Sequence, residues 1–304
     1  MDKEINSDAE EMDVFDENQT HTDHNHCFVN CELEEAFQNY ILPSVKEGDI
    51  LGCSPNQVSN SLGDEIPSEV IIRYLGIEDA PVRLTCVLAC EVDEKRSHIV
   101  SFFPESEGVE VEVTLTEIHE WATGIEATLD GEILGEEGRE ISFFDTRYAE
   151  HKGKYEIGKK YKFKFCAFAY SLQFLPEEYR EIRIEGKDAE ERRKEMGEEP
   201  KYDSDGNPEP IVYSMTSAVA CISGSNAYPD DYEYLSPTYS EIEELQVFDL
   251  SFIKVDICIA RAVEVEEEIV VPLIANKSIV QDIPKKGDSI SGHLWLQGVC
   301  VDKI

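Results

Sequence analysis

His21, His24, His26, Cys27 and Cys31 fall within eleven residues, in HTDHNHCFVNC. Imidazole and thiolate are ligands that Zn²⁺, Ni²⁺ or Cu ions accept, and neighbouring Asp23 favours a cation. The spacing His-x₂-His-x-His-Cys-x₃-Cys matches no structural zinc pattern, and no second knuckle follows it. The plainer reading is a polar, histidine-rich tail; the metal question stays open there and no cofactor is expected. A second cluster is HKGKYEIGKKYKFK, residues 151–164, where Lys152, Lys154, Lys159, Lys160, Lys162 and Lys164 meet the single acid Glu156. Tyr155, Tyr161 and Phe163 are interleaved with them. Cations for phosphate and rings for stacking are what a single nucleic-acid strand requires, so the six lysines and Tyr161 are the candidate ligand-binding residues. The plainer reading sends the alternating rings into a core and the lysines to water, where they pair with carboxylates or guard a strand edge. A third set, Glu117 and Glu120 around His119, has the groups for acid–base work. In a chain with 65 acids such proximity is expected by chance.

No GxSxG, GxxxxGK[ST], GxGxxG after a strand, or HExxH is present, which removes the commonest hydrolase, nucleotide and metalloprotease signatures. YDSDGN (202–207) places its glycine too early for a calcium loop and reads as a turn. Trp121 and Trp295, the two tryptophans, read as packing residues.

Charge narrows the partners further. The chain carries 65 acids and 27 bases, a net of −38, where a small domain carries roughly 2 to 8. Residues 1–26 hold nine acids and one base, net −8, so −30 remains on residues 27–304. Such a field repels nucleic acid and anionic membrane except where a local patch reverses it. Residues 151–164 are that patch. The N-terminus has no basic start followed by an apolar run, and no stretch is apolar enough to span a membrane. Nine cysteines, several inside apolar runs such as LTCVLAC and FKFCAFAY, predict buried thiols in a reducing compartment, and a cytoplasmic location is expected. The sequons at Asn18 and Asn276 then carry no meaning.

These residues must be positioned by strands. Residues 1–30 read as a disordered acidic tail. CELEEAFQNYIL predicts a helix with Leu33, Phe37, Tyr40 and Ile41 on one face, closed by Pro43, and PSEVIIRYLG predicts a second from the spacing of Val70, Ile71, Tyr74 and Leu75. From residue 81 the pattern turns to strands: VRLTCVLACEV, HIVSFF, VEVTLTEI, GIEATL, REISFF and YKFKFCAFAYSLQF, with Asp130–Gly131 read as a turn. The order of the last four resembles an oligonucleotide-binding barrel over about a third of the chain. The fold class expected is mainly β: antiparallel barrel- or sandwich-like sheets with a short N-terminal helical element. The domains expected are the tail 1–30, a β-rich unit 31–175, a charged insertion 176–210 and a second β-rich unit 211–304.

These observations predict a non-enzymatic, intracellular acidic interaction protein that binds a basic partner, as an inhibitor, an immunity-type protein or a nucleic-acid mimic. The alternative is a module of the oligonucleotide-binding type taking a single strand or a nucleotide through 151–164. An enzyme of unrecognised type stands third.

Overall fold

The computed structural model describes residues 27–28, 33–57, 70–91, 97–134, 138–224, 228–262 and 267–303. The acidic stretch before Cys27 and the candidate ligands His21, His24, His26 and Cys31 lie outside the described residues.

The first helices among the described residues are α1 (Leu33–Ala36), a π-helical turn Phe37–Ile41 and α2 (Leu42–Glu47). Pro43 does not end this helical segment. It stands in the first turn of α2, directly after the π-helical turn, and Gly48 follows the last turn. Four antiparallel strands come next, β1 (Asp49–Gln57), β2 (Val70–Gly76), β3 (Val82–Glu91) and β4 (Ser97–Ser106), paired in that order. The helix expected at PSEVIIRYLG is strand β2. Ile72 and Tyr74 are buried on one face with Arg73 exposed between them, a period of two that the short run also satisfies.

A closed circuit follows. Strands β5 (Val109–Glu120), β6 (Ala127–Ile133) and β7 (Arg139–Asp145) form an antiparallel meander; helix α3 (Tyr148–His151) leads to β8 (Lys160–Ala169). β8 returns antiparallel to β5, pairing Lys160–Phe165 with Val109–Thr114. The last strand, β17 (Ser289–Cys300), closes the ring: Gln297 and Gly298 pair in parallel with β7, and Leu296–Cys300 pair antiparallel with β8. A five-stranded ring with its third and fifth strands in parallel is the arrangement of an oligonucleotide-binding barrel, whose closure removes free edges. Asp130–Gly131 is not a turn; it lies inside β6. A Cβ at Gly131 would collide with Val113 Cγ1 and lie 2.9 Å from the Thr114 carbonyl, so the glycine admits close approach of β5.

Between β8 and β17 lie β9 (Gln173–Phe174), a lobe of β10 (Glu181–Ile184), α4 (Gly186–Glu195) and β11 (Ile211–Ser214), then β12 (Ala220–Ser223), β13 (Asp231–Pro237), β14 (Glu243–Val247), β15 (Leu250–Ala262) and β16 (Glu267–Asn276). β16 joins β8 in parallel at Ala167 and Phe168, and β13 joins the first half of β17. Hydrogen bonding thus runs across the charged 176–210 segment. Val113, Phe163, Ile253, Leu273 and Leu294 share one core. Phe143 meets both Phe163 and Phe165 edge to face, its ring centroid 4.7 Å from each, while those two lie nearly parallel to one another. They fit because Gly298 has no Cβ; one would sit 2.7 Å from Phe143 and 2.9 Å from Phe165. A second core joins the first sheet to the barrel through Phe28, Tyr40, Tyr74, Phe103, Phe144 and Trp295. Asn276, one of the two sequon residues, is buried and donates from Nδ2 to the Phe28 carbonyl at 2.8 Å.

No helix among the described residues is long and apolar enough to cross a membrane. The eight described cysteines are free thiols, and burial pushes Cys86, Cys166 and Cys221 up to about 12. Cys53 is the one exposed thiol among them. Brief alkylation of the native chain is expected to label Cys53 before the other described cysteines, read by peptide mass; equal labelling of Cys86 or Cys166 would contradict their burial.

Candidate functional site

The barrel turns the 151–164 segment inside out with respect to nucleic-acid chemistry. Alternation along β8 places Tyr161, Phe163 and Phe165 in the core and Lys160 and Lys162 in solvent, with Lys164 half-buried. Tyr161 accepts a hydrogen bond from Glu156 N at 2.9 Å, and its ring packs on Tyr155, centroids 5.3 Å apart. Antiparallel pairing sets each of these lysines beside a glutamate of β5 or the turn before it: Lys160–Glu112 at 2.7 Å, Lys162–Glu110 at 3.1 Å and Lys164–Glu107 at 3.4 Å. Lys159 pairs with Glu156. Lys152 reaches back to Glu120 at 2.8 Å and the Gly124 carbonyl at 2.7 Å, and Lys154 lies exposed on the turn. Six lysines therefore stand among five glutamates. The local excess of +5 in the sequence falls to +1 in space.

On the β5–β6 pair, a bulge between Leu115 and Glu117 shifts the register so that Glu117 stands opposite Asp130 and His119 opposite Thr128. His119 Nε2 lies 2.8 Å from Asp130 Oδ2, and Nδ1 lies 4.0 Å from Glu117 Oε1. The Asp130 hydrogen bond holds the imidazole above its usual pKa, against the opposing effect of burial. Below this trio, Trp121 Nε1 donates to Thr128 Oγ1 at 3.1 Å, and Thr128 donates to fully buried Asp230 at 3.3 Å. Reading Glu117, Glu120 and His119 from spacing found two members of this trio. Asp130 was hidden by its resemblance to a turn residue, while Glu120 points instead to Lys152 and accepts from Tyr148 Oη at 2.9 Å.

A cleft of about 500 Å³ opens where β7, β12 and β15 approach, lined by Arg139, Ile141, Cys221, Tyr232, Ile259 and Arg261 among others. Arg261 is committed to Glu268, Ser217 and Tyr239. The Tyr232 hydroxyl bonds both backbone groups of Ser142.

The lobe is the remaining exposed feature. Among the described residues β10 and β11 pair only with each other, closed at the base by Met215 N donating to the Arg180 carbonyl at 2.8 Å. Buried Arg193 of α4 clamps the Glu209 and Pro210 carbonyls at 2.6 and 3.3 Å, which fixes the helix against the returning chain. Ile182 pairs with Tyr213, and the Tyr213 hydroxyl lies 3.6 Å from Met196 Sδ, so the three form one exposed apolar patch. Reading residues 176–210 only as a charged insertion missed this strand; the alternation EIRI at residues 181–184 is the signal that could have found it. The YDSDGN turn forms as an Asx turn, with Asp203 Oδ1 accepting from Asp205 N and Asn207 N.

Comparison of the chain with protein-family models, with curated proteins and with solved structures finds no match.

Proposed function

We propose that this is a non-enzymatic interaction protein whose acidic surface binds a basic partner, with the lobe as the point of attachment. The observation that carries the reading is the lobe's surface. Thirteen large apolar side chains are exposed among the described residues, and six of them, Tyr179, Ile182, Met196, Tyr202, Val212 and Tyr213, lie between residues 177 and 214. The same span carries 13 acids against seven bases. Exposed apolar anchors on a segment with an excess of carboxylates suit a cationic, amphipathic segment: burial supplies the affinity, and charge supplies speed and choice of partner. The nucleic-acid reading draws less support, because a phosphate chain must compete with five glutamates for the ammonium groups of 151–164 and finds little net charge there.

The test replaces residues 181–213 by a short Gly-Ser linker between positions that already meet at the base of the lobe. Two peptides of equal positive charge are titrated, one oligolysine and one alternating lysine with leucine. The amphipathic peptide should bind the intact chain about tenfold more tightly, the worth of one or two buried leucines. That advantage should vanish on excision of the lobe, and both affinities should fall as salt is raised. Equal affinities in the intact chain, or an advantage that survives excision, would refute the lobe as the attachment point.

A further inference from the structure

We infer that Glu117, His119 and Asp130 form a binding site for a divalent transition-metal ion on the outer face of the barrel. One nitrogen and two carboxylate oxygens, one from each residue, lie within 4.8 Å of one another. An ion about 2.0–2.2 Å from each ligand holds its donors roughly 3–4 Å apart, so modest side-chain rotations close the set without moving the strands. The set suits Zn²⁺ and its first-row neighbours, which accept imidazole and carboxylate together; Mg²⁺ and Ca²⁺ prefer oxygen alone.

Two further observations point to a ligand. Asp130 Oδ1 is buried and, among the described residues, has no hydrogen-bond partner, while Oδ2 is engaged by His119. A covered carboxylate oxygen left without a donor is costly in a folded protein even where, as here, the side chain as a whole is 28% exposed; a cation taken by both oxygens of Asp130 satisfies it. The bulge in β5 is the second. Without the extra residue, Glu117 would not stand opposite Asp130, and bulges of this kind re-aim side chains at sites. Glu117 is largely exposed and His119 mostly covered, so one side of the trio opens to solvent. Three protein ligands with an open fourth position allow the ion to keep a water or to accept a donor from another molecule.

Zn²⁺ is the probe, titrated calorimetrically into the full, metal-stripped chain, with Co²⁺ absorption as a second readout. The histidines before Cys27 are candidate competing ligands, so a variant with His21, His24 and His26 all changed to alanine is measured beside the native chain. The proposal expects that this variant retains one Zn²⁺ equivalent, that His119→Ala removes it, and that Glu117→Gln weakens it about 10–100-fold. Glu117 is exposed, so its substitution leaves folding intact and separates lost ligation from lost structure. The tail variant should also show a Co²⁺ ligand-field band that His119→Ala abolishes. Loss of all Zn²⁺ binding in the tail variant, unchanged binding in His119→Ala and Glu117→Gln, or equal displacement by Mg²⁺ would each overturn the site.

Discussion

Arg147→Met is expected to remove about 3 kcal/mol of stability, the low end of the cost of breaking a buried ion pair, because it takes away the nearer of the two guanidinium groups on a buried carboxylate and leaves Arg83. Glu105 of β4 is 3% exposed and Arg147, between β7 and α3, 6%. Arg147 Nη2 donates to Glu105 Oε2 at 2.9 Å, Arg83 Nε donates to the same oxygen at 3.2 Å, and the Thr85 hydroxyl bonds it too. The guanidinium also lies over the Tyr74 ring, 4.5 Å from its centroid. This cluster joins the four-stranded sheet to the barrel. Burial drives the Glu105 carboxyl upward, but Arg147 and then Arg83 outweigh it, with help from hydroxyl donors, and the carboxyl titrates below its ordinary value. A carboxyl lower in the folded than in the unfolded chain contributes stability above the unfolded value of about 4.5 and loses it as pH falls through the folded value. In Arg147→Met the larger of the two opposing guanidinium effects is gone while burial remains. Its Glu105 then titrates higher in the folded chain, and acid relieves the penalty. Urea denaturation should therefore show a wide gap between the two proteins at neutral pH that narrows towards pH 4. Glu105→Gln combined with Arg147→Met should recover much of the loss; a double variant as unstable as the single one would show that Glu105 is not the stranded charge.

Trp295→Ala should cost a comparable 3–5 kcal/mol, from the cavity and the lost burial together. The indole is fully buried between the sheets, with ring centroids 5.1 Å from Phe144 and 6.4 Å from Phe103. Its Nε1 donates to Asp230 Oδ2 at 2.6 Å, and Asp230 is itself fully buried. Trp295→Phe keeps most of the ring and removes the donor, so about 1–3 kcal/mol is expected from the weakened satisfaction of Asp230. The difference between the two variants, measured by denaturation with Trp121 as the remaining fluorophore, separates packing from the hydrogen bond. Equal losses would mean that the carboxylate and not the cavity dominates.

Most strands were legible because period-two alternation survives in isolation. Val113 and Leu115 point inward as their spacing predicts, and in β8 the rings and lysines divide between core and solvent. The length of VIIRYLG defeated the same reasoning, since seven residues satisfy both a helical and an extended pattern until β1 and β3 pair with it. Gly131 misled for another reason. Its freedom from a side chain serves the close passage of Val113, a tertiary contact that mimics the local signature of a turn. The lysine cluster was visible, but three of its five glutamates lie some 50 residues earlier and their register follows only from barrel closure. His119 and Asp130 are joined by a bulge that no local pattern announces.

The final strand closes the barrel, and this has a consequence for the chain as it leaves the ribosome. β8 ends at Ala169 and its closing partner begins at Ser289. At about 5–20 residues per second, the intervening chain takes roughly 6–24 s to emerge. Through that interval the unmated sides of β7 and β8 are open templates for neighbouring nascent chains. Lys160, Lys162 and Lys164 lie along one of those strands, each held by a glutamate once β5 has paired. Charged rungs of this kind make β8 a poor template for edge-to-edge association while the barrel waits for its last strand.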